Sequence, residues 1–167
     1  MMEAICLGFI LAWMNGLLVC AGDIGNAFLY AVTKEKHYVI AGPEFGPDVH
    51  GKRLVIHKSL YGLKTSAASF HEHLSVKLRS LGYSPSKADS DLWMKDCGTH
   101  YEYIARYVDD VIAFSKNPMD IINKLKDTYI MKGVGTPQYY LGGDVVELDN
   151  QWHREGIQTA FSAETYI

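Results

Sequence analysis

The chain has 167 residues, 48% of them hydrophobic and 21% charged, with 15 Gly and 5 Pro, a balance that excludes disordered, collagen-like and disulfide-scaffold proteins and fits one domain. Three cysteines, Cys6, Cys20 and Cys97, form an odd set without metal-type spacing, as in a reducing compartment. The formal charge of −3 hides a sign change, with two Lys/Arg against five Asp/Glu over 1–51, ten against seven over 52–116 and four against seven over 117–167, so the middle third stays open to a polyanionic partner.

The most hydrophobic window, AICLGFILAWMNGLLVCAG, comes first. No Lys or Arg precedes it, so it lacks the basic start of a signal peptide. Asn15-Gly16 breaks it well short of the roughly 20 apolar residues that a membrane span needs. The break predicts a buried helix over 4–14, a turn, and a buried strand in LLVCAGDI, with no membrane segment. RLVI at 53–56 is of strand length. After Thr65-Ser66, which can cap, Phe70, Leu74, Leu78 and Leu81 recur at helical spacing until Gly82. YIARY at 103–107 and VIAF at 111–114 predict two more strands. Asn117-Pro118 opens a helix with Ile122, Leu125 and Tyr129 on one face. This mixed order predicts an α+β fold.

Chemistry concentrates at RYVDDVIAF, where Asp109 and Asp110 sit between two strand-like runs, as at a hairpin turn. Adjacent carboxylates repel, and a hard divalent cation such as Mg²⁺ would neutralise both. The plain alternative is a solvated Asp-Asp turn. Asp23 also stands at a strand end, and three such acids brought together would suit two metals about 3.5–4 Å apart, as in phosphoryl transfer. Other constellations are poorer. His71 and His73, two apart on a helix, face different ways. Cys97 and His100 have no partner pair and predict no zinc site. Gly133-Val134-Gly135 and Gly142-Gly143 lack the strand-to-helix setting of a phosphate loop.

DIGNAFL at 23–29, KSLYGLKTSAASF at 58–70, SKADSDLW at 86–93, YVDD at 107–110 and MKGVGTPQYYLGGDV at 131–145 follow one another in order. Together they resemble the reverse transcriptase of copia-type LTR retrotransposons, over nearly the whole chain. The resemblance implies an RNA-directed DNA polymerase with a palm-like antiparallel sheet and packed helices. It implies Asp23, Asp109 and Asp110 as catalytic ligands of two Mg²⁺ ions. Phe28 would be the ring that excludes a ribose 2′-hydroxyl. Gly62 would let backbone approach nucleotide and template, with Lys58 and Lys64 as phosphate contacts, and Met131, Lys132 and Gly133 would lie where the primer end is held. Partners would be an RNA or DNA template with its primer and deoxynucleoside triphosphates, in an intracellular, cytoplasmic setting.

Two positions depart from the family pattern: Ala68 stands where relatives have Arg, and Gly133 where they commonly have Asp. Only 22 residues precede Asp23 and the chain stops soon after the last block, so against the resemblance the fingers and thumb are expected to be largely missing. Residues 1–167 are therefore expected to form a partial domain, a palm with part of the fingers connection, that does not extend a primer by itself. Two other readings stay open: a truncated retroelement remnant with at most metal or nucleic-acid binding, and a small membrane-tethered α+β module.

Overall fold

The computed structural model describes residues 2–140, 143–148 and 158–162. Residues 141 and 142 of the last resemblance block, and the chain's final five residues, lie outside them. The chain forms two compact units, residues 26–76 being one and 1–25 with 77–167 the other.

In the larger unit, helix α1 (Met2–Asn15) stops where Asn15-Gly16 predicts. Gly16 takes φ +60°, and the Leu17 N–H bonds back to the Ala12 carbonyl at 2.9 Å, a left-handed cap that glycine adopts without strain. Strand β1 (Leu18–Ile24) follows at once. Ile5, Phe9 and Ala12 form the buried stripe of α1, at the i, i+4, i+7 spacing of one helix face. Phe9 meets Phe114 edge-on with ring centroids 5.3 Å apart, and Gly8 admits that ring so closely that a Cβ there would stand 2.6 Å from it.

The main sheet also contains β4 (Ser84–Pro85), β5 (Leu92–Asp96), β6 (Tyr101–Tyr107), β7 (Asp110–Ser115) and β8 (Met131–Gly135). Its order is β4-β5-β6-β7-β1-β8, every pairing antiparallel. Side chains alternate faces along a strand, and here both faces are used. Val19, Ala21, Tyr103, Ala105, Ile112 and Phe114 share one buried cluster with the α1 stripe. The alternate positions Cys20, Ile104, Val111 and Ala113 are equally buried, and α3 (Pro118–Lys126) packs against β1, β7 and β8. That two-sided burial explains why VIAF and LVCA read as continuous apolar runs. A smaller sheet orders β11 (Gln158–Ser162), β10 (Gly143–Leu148) and β9 (Tyr139–Tyr140), with β11 beside α1.

In the unit of residues 26–76, β2 (Val32–Ile40) and β3 (Arg53–Lys58) form a two-stranded antiparallel ribbon, and α2 (Ser66–Ser80) begins. Its far end, in the larger unit, closes on Gly82 at φ +87°. There the Tyr83 N–H reaches the Leu78 carbonyl at 3.1 Å and the Gly82 N–H the Arg79 carbonyl at 2.9 Å, the stop that the sequence predicts.

The α+β class and the antiparallel sheet match expectation, and two capping details differ. Ser66 Oγ donates to the Leu60 carbonyl at 2.6 Å and accepts the Leu60 N–H at 3.1 Å, so it closes the 60–66 turn. Asn117 makes no side-chain cap, and its own N–H is held by Ser115 Oγ at 3.0 Å. Tyr129 lies beyond the end of α3 but is buried, its N–H on the Leu125 carbonyl at 2.8 Å. Among the described residues no helix is long and apolar enough to cross a membrane.

A candidate metal centre at the carboxylate hairpin

Strands β6 and β7 are joined by Val108 and Asp109 alone, with Tyr107 paired to Asp110 across the hairpin. Two-residue hairpins turn through positive φ, and Val108 supplies it at +54°. A β-branched residue there is strained by about 1–3 kcal/mol, which the long ladders on either side must over-determine. The strand entering the turn is anchored by Arg106, whose buried Nε donates to Asp91 Oδ1 at 3.0 Å. Asp91 itself is fixed by an N–H bond to Asp89 Oδ1 at 2.9 Å, so the acids of the SKADSDLW block brace the hairpin base.

Strand β1 runs antiparallel to β7, and Asp23 is the direct partner of Asp110. Directly opposed residues project to the same face, so the two carboxylates share one side of the sheet. The Asp109 carbonyl accepts the Ile24 N–H at 2.8 Å, which ties the turn to the end of β1. All three sequence-predicted acids thus meet within one unit. Their carboxylates do not, however, form a group whose ligand atoms all lie within 4.8 Å of one another; among the described residues Cys97, His100 and Glu102 do.

Charge is concentrated here at a cost. Burial, then the Asp109 and Asp23 charges, raise the Asp110 carboxyl above its usual range. Burial and the Asp109 charge raise Asp23, with Lys132 working against them. Lys132 is the partner of Asp23 on β8, and the ladder slips by one residue between Ala21 and Asp23. Gly133 sits in that slip at φ +57°, the conformation a bulge of this kind asks of glycine. An aspartate there would carry some left-handed strain. Sequence reasoning missed Tyr140. Its phenol is raised by burial and by the Asp110 charge, and its hydroxyl is buried with no hydrogen-bond partner among the described residues.

The other expected site residues belong to the unit of residues 26–76. Phe28 is buried, its ring 4.4 Å from that of Tyr61 and 6.2 Å from that of Phe70. Tyr61, not singled out by sequence, is the exposed member of that trio. Gly62 has φ +93° and nothing within 4 Å of where a Cβ would stand. A side chain is excluded there by the backbone angle, while the space above stays open. Lys58 and Lys64 are exposed, and the Lys58 charge, after burial, helps lower the His73 imidazole.

Residues 1–159 match the family model described as "Reverse transcriptase (RNA-dependent DNA polymerase)". The chain belongs to that family. Its sequence is 32% identical over 150 residues to the transposon Ty1-MR1 Gag-Pol polyprotein of Saccharomyces cerevisiae, covering 86% of this chain and 8% of that protein. The Ty1-DR4 Gag-Pol polyprotein of the same yeast matches at 32% over 150 residues, with 86% and 9% covered. The chain therefore corresponds to the copia-type reverse transcriptase region of these polyproteins and spans less than a tenth of their length. Within this reverse transcriptase region the YVDD block is the strained turn, and the DIGNAFL block begins at the acid opposite it.

Proposed function

We propose that this chain is the palm of an RNA-directed DNA polymerase, and that Asp23, Asp109 and Asp110 hold two Mg²⁺ ions for transfer of deoxynucleotides to a primer. The observation that carries the reading is the direct pairing of Asp23 with Asp110, next to Asp109 in a strained turn. The donor set fits the ions: three hard carboxylate oxygens, two of them raised in pKa by burial and mutual repulsion, form a site that a cation would relax. When bound, such ions supply an activated primer 3′-hydroxyl and stabilise the leaving oxygen.

The chain's own residues orient the reaction. Asp23 and Asp110 present charge from neighbouring strands whose ladders cannot slide without breaking the sheet. Lys132, beside Asp23, offers a positive charge to a primer or triphosphate phosphate. Phe28, braced by Tyr61 and Phe70, is a stiff ring suited to refusing a ribose 2′-hydroxyl. Gly62 leaves open space for backbone approach, and Lys64 offers a point charge to phosphate. The template and primer would be RNA or DNA.

Mn²⁺ titration followed by loss of the free-ion electron paramagnetic signal tests the centre. The chain is expected to bind Mn²⁺ weakly, with competition by Mg²⁺, and Asp23→Asn or Asp109→Asn is expected to abolish binding by removing an anionic ligand. Mn²⁺ binding that survives both substitutions would remove the metal centre and the polymerase reading with it.

A further inference from the structure

The far end of β6 carries a second cluster of ligand-type side chains. Strands β5 and β6 are joined by a tight hairpin, with Asp96 paired to Tyr101 and the Cys97 N–H bonded to the His100 carbonyl at 2.9 Å. Its two-residue tip is Gly98-Thr99, and Gly98 has φ +80°, as a glycine-first hairpin turn requires. Cys97 and His100 are therefore opposed and project to the same face, and Glu102, two residues further along β6, joins them there. The sequence showed a Cys and a His with no partner pair, whereas the hairpin supplies the third ligand. One ligand atom from each of Cys97, His100 and Glu102 lies within 4.8 Å of the other two.

We propose that Cys97, His100 and Glu102 bind a thiophilic divalent cation, of which Zn²⁺ is the type, with a fourth position open to water. The donor set of one sulfur, one imidazole nitrogen and one carboxylate oxygen selects such an ion over Mg²⁺. In a tetrahedral site with bonds of about 2.0–2.3 Å the ligand atoms stand about 3.3–3.8 Å apart, a small side-chain rotation from what is seen. Two independent observations support the site. The imidazole has an unsatisfied nitrogen, since Nδ1 meets Thr99 Oγ1 at 3.0 Å while Nε2 is buried with no hydrogen-bond partner among the described residues. The carboxylate is already held in place, with Ser115 Oγ donating to Oε1 at 2.5 Å and the Tyr83 hydroxyl to Oε2 at 2.8 Å. Outer hydrogen bonds of this kind typically hold metal ligands in place. The site sits at the opposite end of β6 from Asp109 and Asp110, and its existence does not depend on the polymerase reading.

Cobalt replaces zinc and reports thiolate ligation by a charge-transfer band in the near ultraviolet. Titrating the reduced chain with Co²⁺ is expected to raise that band to saturation at one equivalent, with Zn²⁺ bleaching it. Cys97→Ser is expected to abolish the band, Ser115→Ala to weaken binding about tenfold, and Asp109→Asn to leave it unchanged. A measurement on the native chain guards against a variant that does not fold: Zn²⁺ is expected to slow iodoacetamide alkylation of Cys97, read by peptide mass, while Cys6 reacts as before. No band in the native chain, a band that persists in a folded Cys97→Ser chain, or undiminished alkylation of Cys97 in Zn²⁺ would overturn the proposal.

Discussion

Asp110 is a residue whose charge weakens the fold that carries it. Burial and the neighbouring Asp109 and Asp23 raise its carboxyl, so the folded state holds a proton more tightly than the unfolded chain does. The penalty is therefore fully present above the folded pKa, shrinks as pH falls through it, and vanishes below the ordinary carboxylate value. Replacing the charge with a neutral amide of similar shape removes the penalty. Asp110→Asn is expected to stabilise the chain by about 0.5–2 kcal/mol at neutral pH, the trade often found at strained functional sites, with the gain fading in acid. Urea denaturation of both chains at neutral and acid pH measures it, and a variant less stable at neutral pH would show that Asp110 is already compensated. Val108 shows how such positions hide from sequence reading. Sequence places Val108 between the two strand-like runs, and only the two-residue hairpin reveals that this β-branched residue takes φ +54°.

Elements buried in one direction were easier to foresee than those buried in two. The Asn15-Gly16 stop, the start of β1 and the Gly82 cap of α2 were legible because glycine at a positive φ is local chemistry, independent of what packs nearby. Strand order was not legible, since VIAF and LVCA are apolar on both faces and carry no alternation to say which helix covers which side. Gly8 belongs to this second kind: nothing in AICLGFI distinguishes it from a passive helix residue, yet a Cβ there would stand 2.6 Å and 2.7 Å from two atoms of the fully buried Phe114 ring. Gly8→Ala improves helix propensity by roughly 1 kcal/mol, while overpacking against a ring with nowhere to go costs about 1–3 kcal/mol. We expect the packing term to win and the variant to lose stability in urea, with its helical circular dichroism retained. Stabilisation by Gly8→Ala would mean that α1 shifts freely on the sheet.

At the scale of the molecule, the expected site residues belong to two different units. The acids were legible in sequence because Asp23 and Asp109-Asp110 sit at strand ends, and antiparallel pairing then makes Asp23 and Asp110 partners. Tyr140 and Lys132 were harder to place, because their approach to the acids depends on a bulged ladder and on the small sheet. The Cys97, His100 and Glu102 cluster escaped for another reason: a two-residue spacing along a strand does not look like metal-ligand spacing until the hairpin folds it against its partner. All three aspartates lie in residues 1–25 and 77–167, whereas Phe28, Gly62 and Lys64 lie in 26–76. If metal binding is a property of the larger unit alone, changes in the other unit leave it intact while altering what is done with a nucleotide. Lys64→Ala removes an exposed charge without opening a core, so it tests this division without threatening the fold. Its Mn²⁺ affinity is expected to stay within a factor of about two of the native chain, because an exposed charge outside the ligand set is largely screened. Asp23→Asn in parallel is expected to lose the signal. A loss of Mn²⁺ binding in Lys64→Ala as large as that in Asp23→Asn would show that Lys64 itself takes part in holding the ion.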